Sequence, residues 1–311
     1  MRAIVTGGAG FIGSHLVDAL VARGDDVLVV DSLATGKRER LNKAATLVVG
    51  DIRDASVLGE TFRETRPDVC FHLAAQANVR TSVEKPVFDG DVNILGTVAV
   101  LEAARAHDTQ VIFSSTGGAI YGECEHPAGE ASALQPISPY GTSKLAGEEY
   151  LRTYNRLYGT QHVAFRYANV YGPRQDPHGE AGVVAIFFGR IASGERPRIF
   201  GDGRQTRDYV YVGDVVEATL LAPGKAGGVF NVGTGQETSV VELYGVCRRV
   251  SGAELEPEFA EARLGELARS VLDPARAERE LGFRAEVSVE DGLTRTWDSI
   301  QGEGEERPGA K

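Results

Sequence analysis

The chain has 311 residues, of which 42% are hydrophobic and 25% are charged, so it is long enough to bury a sizeable core. Its formal net charge of −11 disfavours nucleic acid and anionic membranes as partners, because an acidic surface repels phosphate groups. No apolar stretch reaches the roughly 18 residues of a membrane span. The N-terminus lacks a signal-peptide pattern, and the 3 cysteines show no metal-ligand spacing. We therefore expect a cytoplasmic protein with no metal site.

The first half of the chain alternates short β-rich runs with amphipathic segments. Strands are predicted at 3–5, 27–30, 46–49, 69–71 and 111–113, and helices at about 11–23, 54–65 and 91–106. Strand–helix alternation produces a parallel sheet with helices on both faces. Because crossovers are right-handed, the sequence predicts an α/β protein with a doubly wound parallel sheet of the Rossmann type.

The second half of the chain is richer in glycine and proline punctuation and less regular. Helices are predicted near 138–158, 181–193, 213–221, 238–251 and 289–300, and strands near 162–167, 209–212 and 229–232. The pattern is typical of a smaller α/β substrate-binding region that is interleaved with returns to the main sheet. We expect a nucleotide-binding domain at 1–170 joined again by about 207–237, a substrate-binding region at about 171–206 and 238–300, and a disordered polar tail at 301–311.

A glycine-rich turn at 7–13 directly follows the first predicted strand and opens the first helix. Glycines permit a tight turn and a close backbone approach, which places a pyrophosphate on the helix N-terminus. Asp31 ends the second strand, where a carboxylate hydrogen-bonds an adenosine ribose and repels a 2′-phosphate, so NAD is favoured over NADP. Asp51 suits the adenine amino group, and the segment 73–75 is expected to pass beneath the pyrophosphate.

Tyr140 and Lys144 are four residues apart, so both side chains lie on one face of the predicted helix. A tyrosine with its reference pKa of about 10 is a poor base at neutral pH. A neighbouring lysine ammonium, together with an oxidised nicotinamide, favours the phenolate. The pair follows a strand that ends with the hydroxyl residues 114–116 at the carboxyl edge of the sheet, where sites of α/β proteins lie. This pattern predicts a base that takes a proton from a sugar hydroxyl while hydride leaves the same carbon.

Six segments, in this order, resemble the extended short-chain dehydrogenase/reductases and, within them, the UDP-glucose 4-epimerases. They are 7–13, 72–75, 115–122, the Tyr140/Lys144 pair, 166–173 and 207–210. The resemblance covers roughly residues 1–300. It implies NAD as cofactor, a UDP-sugar as substrate, and a homodimer formed through the helices at about 91–106 and 138–158.

The resemblance also implies a set of site residues. Thr116 is expected to pair with Tyr140 at the sugar C4 oxygen, with Ser115 as the alternative because relatives are one residue shorter here and carry serine. Asn169, Arg207 and Arg263 are expected on the diphosphate, and Glu266 on the uridine ribose. The full cofactor set is Gly7, Gly10, Phe11, Ile12, Gly13, Asp31, Asp51, Ile52, Leu73, Ala74, Ala75, Gln76, Asn93, Ser114, Tyr140, Lys144 and Tyr167. The full substrate set is Thr116, Gly117, Asn169, Val183, Val184, Phe200, Arg207, Arg263, Glu266 and Ser270.

The segment after Thr116 discriminates among the reactions of this family. Dehydratase relatives carry an Asp-Glu pair there and decarboxylating relatives a glutamate, whereas this chain has Gly117 and Gly118 and no glutamate before Glu123. Relatives that epimerise C3 and C5 use a cysteine, and none lies between 114 and 121. The comparison favours inversion at C4, and the two glycines are expected to give a 4-keto sugar room to turn.

The substrate is less specified than the reaction. UDP-glucose and UDP-galactose are expected, and the small Ser270 leaves room for the N-acetyl group of UDP-GlcNAc or UDP-GalNAc. A UDP-glucuronate 4-epimerase is the main alternative, with its carboxylate met by a cation. The candidates for that cation are Arg80, Arg174, His178 and Arg190. More distant alternatives are a sugar-nucleotide dehydratase and a non-catalytic NAD-binding protein.

Overall fold

The computed structural model describes residues 1–177, 182–262 and 266–305. The strands are β1 (Arg2–Thr6), β2 (Asp26–Asp31), β3 (Thr46–Val49), β4 (Val69–His72), β5 (Gln110–Thr116), β6 (Val163–Tyr167), β7 (Asn169–Tyr171), β8 (Arg198–Phe200), β9 (Thr206–Arg207), β10 (Tyr209–Tyr211), β11 (Gly228–Val232), β12 (Thr238–Ser239), β13 (Glu258–Ala260) and β14 (Arg269–Ser270). The α-helices are α1 (Phe11–Ala22), α2 (Ala55–Thr65), α3 (Val79–Glu84), α4 (Pro86–Gly90), α5 (Gly96–Arg105), α6 (Gly117–Ile120), α7 (Pro139–Tyr158), α8 (Val183–Ala192), α9 (Val212–Leu220), α10 (Val240–Ser251), α11 (Ala275–Leu281) and α12 (Val289–Glu305). A 3₁₀ turn spans Arg38–Arg40, and a π-helical turn spans Asp91–Leu95 just before α5.

Within the described residues, seven parallel strands form the main sheet in the order β3-β2-β1-β4-β5-β6-β11. The order reverses direction between β1 and β4, which is the switch point where α/β sheets bind ligands at the carboxyl ends of their strands. The predicted doubly wound Rossmann-type sheet is therefore confirmed. The strands β1, β4 and β6 are buried almost throughout, because helices cover both faces.

Two hydrophobic cores lie on opposite faces of the main sheet. On one face, α2, α5 and α7 contribute Phe62, Leu101 and Leu151 to a core with Phe113 of β5. On the other face, α1, α9 and α11 pack their apolar residues against β1, β6 and β11. The chain thus returns to the main sheet with α9 and β11 after the first of the small strands.

The remaining strands form three small sheets beside the carboxyl edge. In these sheets β10 pairs with β7, β13 pairs with β8, and β9 lies between β12 and β14. A third core joins α8, α10 and α12, and it includes a contact between the rings of Phe188 and Trp297 (centroid distance 5.2 Å). No described helix is long and apolar enough to cross a membrane.

The sequence interpretation differs from the structure at several short elements. It missed β8, β13 and α11, and it placed a disordered tail from 301 where α12 continues to Glu305. The helix persists because one face of its preceding turns, including Trp297 and Ile300, packs against the third core. Two- and three-residue strands carry too little periodicity to be recognised from sequence.

Candidate active site

The glycine turn lies at the carboxyl end of β1, beside the switch point. Gly7 has a φ of +72°, and a Cβ added there would lie 2.6 Å from the backbone N of Ala74. A Cβ on Gly13 would collide with the carbonyl oxygen of Gly7. The contact at Gly7 shows that the turn packs directly against the segment after β4. The contact at Gly13 shows that the first turn of α1 packs directly against the glycine turn. The N-terminus of α1 is thereby left as an anion-binding cradle.

Asp31 is fixed against this cradle by two backbone donors. The N–H of Ala9 donates to Oδ2 (2.9 Å), and the N–H of Leu33 donates to Oδ1 (2.8 Å). Each carboxylate oxygen keeps a second lone pair that can accept from a ribose hydroxyl. A fixed negative charge at this position opposes a phosphate on the same ribose.

Asp51, which was predicted to contact the adenine, is hydrogen-bonded to Arg53 in the structure. Arg53 donates to both carboxylate oxygens (3.0 and 2.7 Å) and also reaches Asp91 (2.7 Å). The hydrogen bonds from Arg53 lower the pKa of Asp51. The carboxylate therefore takes part in a surface ion-pair cluster in the structure.

A chain of buried hydrogen bonds lies beneath the segment after β4. Both ring nitrogens of His72 are hydrogen-bonded. Nδ1 lies 2.7 Å from the hydroxyl oxygen of Thr6, and Nε2 lies 3.0 Å from that of Thr97. The Thr97 hydroxyl donates its own proton to the carbonyl of Asn93 (2.6 Å), so it accepts from Nε2–H of His72. Burial, together with the charge of Lys144, lowers the pKa of His72 to about 3, so the ring is neutral.

Asn93 connects this chain of hydrogen bonds to α7, the helix that carries Tyr140 and Lys144. Its side-chain amide donates to the carbonyl of Gln76 (2.9 Å), to Asp89 (3.0 Å) and to the hydroxyl of Ser143 (3.1 Å), and its Oδ1 accepts from the N–H of Gln76 (2.8 Å). Asp89 is buried and also accepts from the side chain of Gln76 (2.9 Å). The sequence analysis missed Asp89, although its spacing of four residues from Asn93 on a helical segment was a usable signal.

Lys144 lies on the sheet-facing side of α7 and is 3% exposed. Its ammonium donates to the carbonyl of Ser114 (2.8 Å) and lies 4.7 Å from the ring centre of Phe113. Burial lowers the pKa of Lys144 to about 8, although the charges of Asp89 and Glu148 act against this shift. Lys144 is thus held at the carboxyl edge of β5, where a cation is needed beside a phenolate.

Tyr140 begins the same helix, one turn before Lys144. The helix is capped by Ser138, whose hydroxyl accepts from the N–H of Gly141 (3.2 Å). Burial, and then the charge of Asp89, raise the pKa of Tyr140. The protein alone therefore keeps this phenol protonated, and a further positive charge beside it is required before it can act as a base.

The two candidate hydroxyls at the end of β5 point to opposite faces of the sheet, as strand alternation requires. Ser115 is buried and donates to Oε1 of Glu148 (2.5 Å). Thr116 is partly exposed, and in the described part of the chain its hydroxyl has no hydrogen-bond partner. The Thr116 hydroxyl is therefore the one that remains available to a ligand.

The two glycines after Thr116 have different neighbours, and this corrects the idea that both give a sugar room to turn. A Cβ on Gly117 would lie 2.5 Å from Cδ1 of Leu272, so this glycine serves packing between α6 and the segment after β14. A Cβ on Gly118 would lie 3.5 Å from Oδ1 of Asn169, which is ordinary contact. Gly118 therefore lies beside a residue of the predicted substrate set.

The predicted diphosphate and ribose residues lie on and beside the small sheet of β9, β12 and β14. Arg207 and Ser270 are paired in register, and the guanidinium of Arg207 lies 3.6 Å from the carboxylate of Glu266. Asn169 is on β7, and the N–H of Asn169 donates to the carbonyl of Asp208, next to Arg207 (2.9 Å). Phe200 and Val183 are partly exposed in the same region. Arg263 and His178 lie outside the described residues.

Two residues of the predicted ligand sets have side chains that belong to the core. Tyr167 is 4% exposed, and its hydroxyl is hydrogen-bonded to that of Thr219 on α9 (2.8 Å). Val184 is buried in the third core.

The fold and the site together define a dinucleotide-dependent enzyme of the short-chain dehydrogenase type: a glycine cradle at a switch point with a buried Tyr/Lys pair at the neighbouring strand ends. The chain belongs to the NAD dependent epimerase/dehydratase family, whose family model matches residues 3–233.

Individual relatives cover nearly the whole chain. It is 49% identical to the UDP-glucose 4-epimerase of Mycolicibacterium smegmatis, over 95% of this chain and 97% of that protein. The structure of the Thermotoga maritima UDP-glucose 4-epimerase with UDP-glucose has a TM-score of 0.96 and 47% identity, covering 97% of this chain and 99% of that one. The Thermus thermophilus UDP-glucose 4-epimerase in complex with NAD has a TM-score of 0.92 and 47% identity over the same shares.

Proposed function

We propose that the chain is an NAD-dependent UDP-hexose 4-epimerase that interconverts UDP-glucose and UDP-galactose and also accepts UDP-GlcNAc and UDP-GalNAc. The observation that carries this proposal is the position of Tyr140 and Lys144 at the carboxyl edge of β5, with Lys144 fixed on the carbonyl of Ser114 (2.8 Å). Two relatives with this activity in their names, each 47–49% identical over at least 95% of the chain, support it.

The residues at the switch point fit a dinucleotide. The cradle that a Cβ would fill at Gly7 and Gly13 suits a pyrophosphate, and the fixed carboxylate of Asp31 suits an unphosphorylated ribose. A UDP-glucose 4-epimerase with a similar fold has been solved with NAD. When bound, NAD supplies a hydride acceptor and the positive charge that Tyr140 needs.

Tyr140 performs the proton transfers in this proposal. Its phenolate, stabilised by the ammonium of Lys144, accepts the proton of the sugar C4 hydroxyl as C4 is oxidised to a ketone. Thr116 donates a hydrogen bond to the same oxygen and orients it. After the ketone has turned its other face, Tyr140 returns the proton to the C4 oxygen as C4 is reduced, and the product is the C4 epimer.

The charges around the site support an uncharged hexose over a uronate. A uronate carboxylate needs a cation of its own. Arg80, Arg174 and Arg190 each pair with a carboxylate, at 3.2, 2.7 and 3.5 Å respectively, so a uronate would have to displace Glu84, Asp18 or Glu195 from a partly exposed pair. The dehydratase alternative lacks an acid pair after Thr116, and the non-catalytic alternative is disfavoured because both Tyr140 and Lys144 are present.

The proposal is tested by incubating the purified protein separately with UDP-glucose, UDP-GlcNAc and UDP-glucuronate, with no added NAD. Products are resolved by anion-exchange chromatography and identified by proton NMR. We expect C4 epimers of the first two substrates and no conversion of UDP-glucuronate. A 4-keto-6-deoxy sugar or a pentose would contradict the proposal, and a C4 epimer of UDP-glucuronate as the fastest product would overturn the assigned substrate.

The choice between the two hydroxyls at the end of β5 is tested by Thr116→Val and Ser115→Ala. We expect Thr116→Val to lower kcat by about 10- to 100-fold, because a hydrogen bond to a charged transition-state oxygen contributes about 1.5–3 kcal/mol. Ser115→Ala removes a bond to Glu148 on the opposite face, so its kcat should stay close to that of the wild type. Steady-state kinetics with UDP-galactose measure both, and the reverse ranking would assign the role to Ser115.

We also propose a homodimer through α7 and the helical segments before it. Large apolar side chains are exposed on both elements; they are Val83, Val87 and Leu95 before α5, and Tyr150, Leu157 and Tyr158 on α7. Exposed apolar residues on neighbouring helices are typical of a subunit interface. In this proposal, the nucleotide-binding domain at 1–170 forms the interface, and the substrate-binding region lies outside it.

A further inference from the structure

A cavity away from the candidate active site lies on the sheet face that carries α2, α5 and α7. It is bounded by the second half of α7 and the edge strand β11. Its volume of about 380 Å³ is in the range of small-molecule sites. Its floor includes Ala164 and Arg166 of β6 and Val229 of β11, and its wall includes Leu151 and Asn155 of α7. None of the residues of the glycine turn and neither Tyr140 nor Lys144 lines it.

The cavity is separate from the proposed dimer surface. One flank of α7 faces α5. On this flank the hydroxyl of Tyr154 donates to Glu102 (2.5 Å), and the guanidinium carbon of Arg105 lies 5.0 Å from the ring centre of Tyr158. The residues of α7 that line the cavity lie on its other flank. A partner bound at the α5 side therefore leaves the cavity open.

The charge of the cavity contrasts with that of the whole chain. Its lining contains four arginines and two glutamates, namely Arg152, Arg156, Arg166, Arg276, Glu130 and Glu148, in a protein of net charge −11. The two buried members, Arg166 and Glu148, form an ion pair with 2.6 Å between Nη2 and Oε2, so their charges cancel. Arg152 and Arg276 pair with glutamates outside the lining, so Arg156 is the lining arginine whose charge has no ion-pair partner among the described residues.

These three arginines differ in how free they are to meet a ligand, and Arg276 also donates from Nη1 to the carbonyl of Val229 (3.0 Å). Within the described ranges, Arg156 has no ion-pair partner, and its side chain is exposed at the mouth of the cavity. Arg152 and Arg276 pair with Glu149 (2.8 Å) and Glu280 (3.0 Å) on their own helices. Partly exposed pairs of this kind contribute little and are readily rearranged.

A buried donor of the cavity lining also lacks a partner. His162 is 1% exposed, and its Nδ1 accepts from the N–H of Val111 (3.0 Å), so the proton of the neutral ring is on Nε2. Burial lowers the pKa of His162 to about 4, which keeps the ring neutral. Among the described residues Nε2 has no hydrogen-bond partner. Strand alternation places His162 on the same face as Ala164 and Arg166, which is the face of the cavity.

We propose that this cavity binds a small oxyanion, either a phosphate or a carboxylate group, which accepts from Nε2–H of His162 and pairs with Arg156 and Arg276. A buried donor without a partner needs such an acceptor. Guanidinium groups form bidentate hydrogen bonds with both phosphates and carboxylates. The size of the cavity admits a small metabolite that carries this group. The site is independent of the nucleotide-sugar site.

The test uses the full-length protein with histidines labelled at ¹³Cε1, which gives a spectrum from 6 residues. The signal of His162 is identified by its loss in His162→Gln. Sodium phosphate, sodium citrate and sodium chloride are titrated separately at constant pH and matched ionic strength. We expect a saturable shift of the His162 signal with phosphate or citrate and none with chloride. A response to phosphate alone identifies a phosphate ligand, and a response to citrate alone identifies a carboxylate ligand.

Two charge variants test the assigned partners. Arg156→Gln should raise the midpoint of the titration by about tenfold, because it removes one charge-assisted contact. Arg63→Gln, an exposed arginine of α2 outside the cavity, should leave the midpoint unchanged. The proposal would be overturned by a shift that is linear in anion concentration, by an equal shift with chloride, or by an unchanged midpoint in Arg156→Gln.

Discussion

Replacing Tyr140 by phenylalanine should reduce kcat for UDP-galactose by about 10²- to 10⁴-fold, which is the usual contribution of general acid–base catalysis. The substitution removes only the phenolic oxygen, whose pKa burial and Asp89 raise in the protein alone. In the described part of the chain this hydroxyl has no hydrogen-bond partner, so its loss should leave the fold and the cradle at Gly7 and Gly13 intact. We expect the variant to retain bound NAD in the same proportion as the wild type.

The matched control is Tyr150→Phe, an exposed tyrosine ten residues further along α7. It loses the same oxygen at a distance from the site, so its kcat should equal that of the wild type. Steady-state kinetics and the nucleotide released on denaturation give both readouts. Normal turnover by Tyr140→Phe would show that another group moves the proton.

Replacing Glu148 by alanine should destabilise the protein by about 3–5 kcal/mol, as expected when one partner of a buried ion pair is removed. Glu148 and Arg166 are each 1% exposed, and Arg166 donates to both carboxylate oxygens from Nε (3.0 and 3.1 Å) and to Oε2 from Nη2 (2.6 Å). Without Glu148 the guanidinium keeps, among the residues that the structure describes, only the hydroxyl of Tyr121 (2.7 Å) as a direct acceptor. Arg166 then becomes a buried charge without a counterion.

The neighbouring Glu149 provides the control. It pairs with Arg152 at 2.8 Å, but both side chains are about half-exposed, so Glu149→Ala should cost less than about 1 kcal/mol. Urea unfolding of both variants, with the NAD content held equal, measures the difference. Equal losses in the two variants would mean that burial does not govern the contribution of this pair.

The parts of the fold and site that could be predicted are those with local signals. Tyr140, Lys144 and Glu148 share one face of α7 because of their spacing, and the glycine turn is recognisable because a strand precedes it and a helix follows. The strands of the main sheet were predicted to within a few residues, since short apolar runs rich in β-branched residues alternate there with amphipathic helices.

The parts that could not be predicted depend on contacts between distant segments. Nothing in the local sequence shows that Arg166 of β6 meets Glu148, or that Leu272 fills the space beside Gly117. The core position of Tyr167 depends on α9, which packs behind β6 from more than fifty residues away. Such pairings follow from strand order and helix placement, which a sequence pattern constrains only at the level of fold class.

The most direct test of 4-epimerisation uses UDP-glucose that carries deuterium at C4, incubated with the purified protein and no added NAD. The transferred hydrogen leaves C4 as hydride and returns to C4 without mixing with water, since the Tyr140 proton goes only to oxygen. We predict UDP-galactose that retains the deuterium at C4, measured by mass spectrometry and proton NMR. Product with protium at C4 would contradict a hydride mechanism at that carbon.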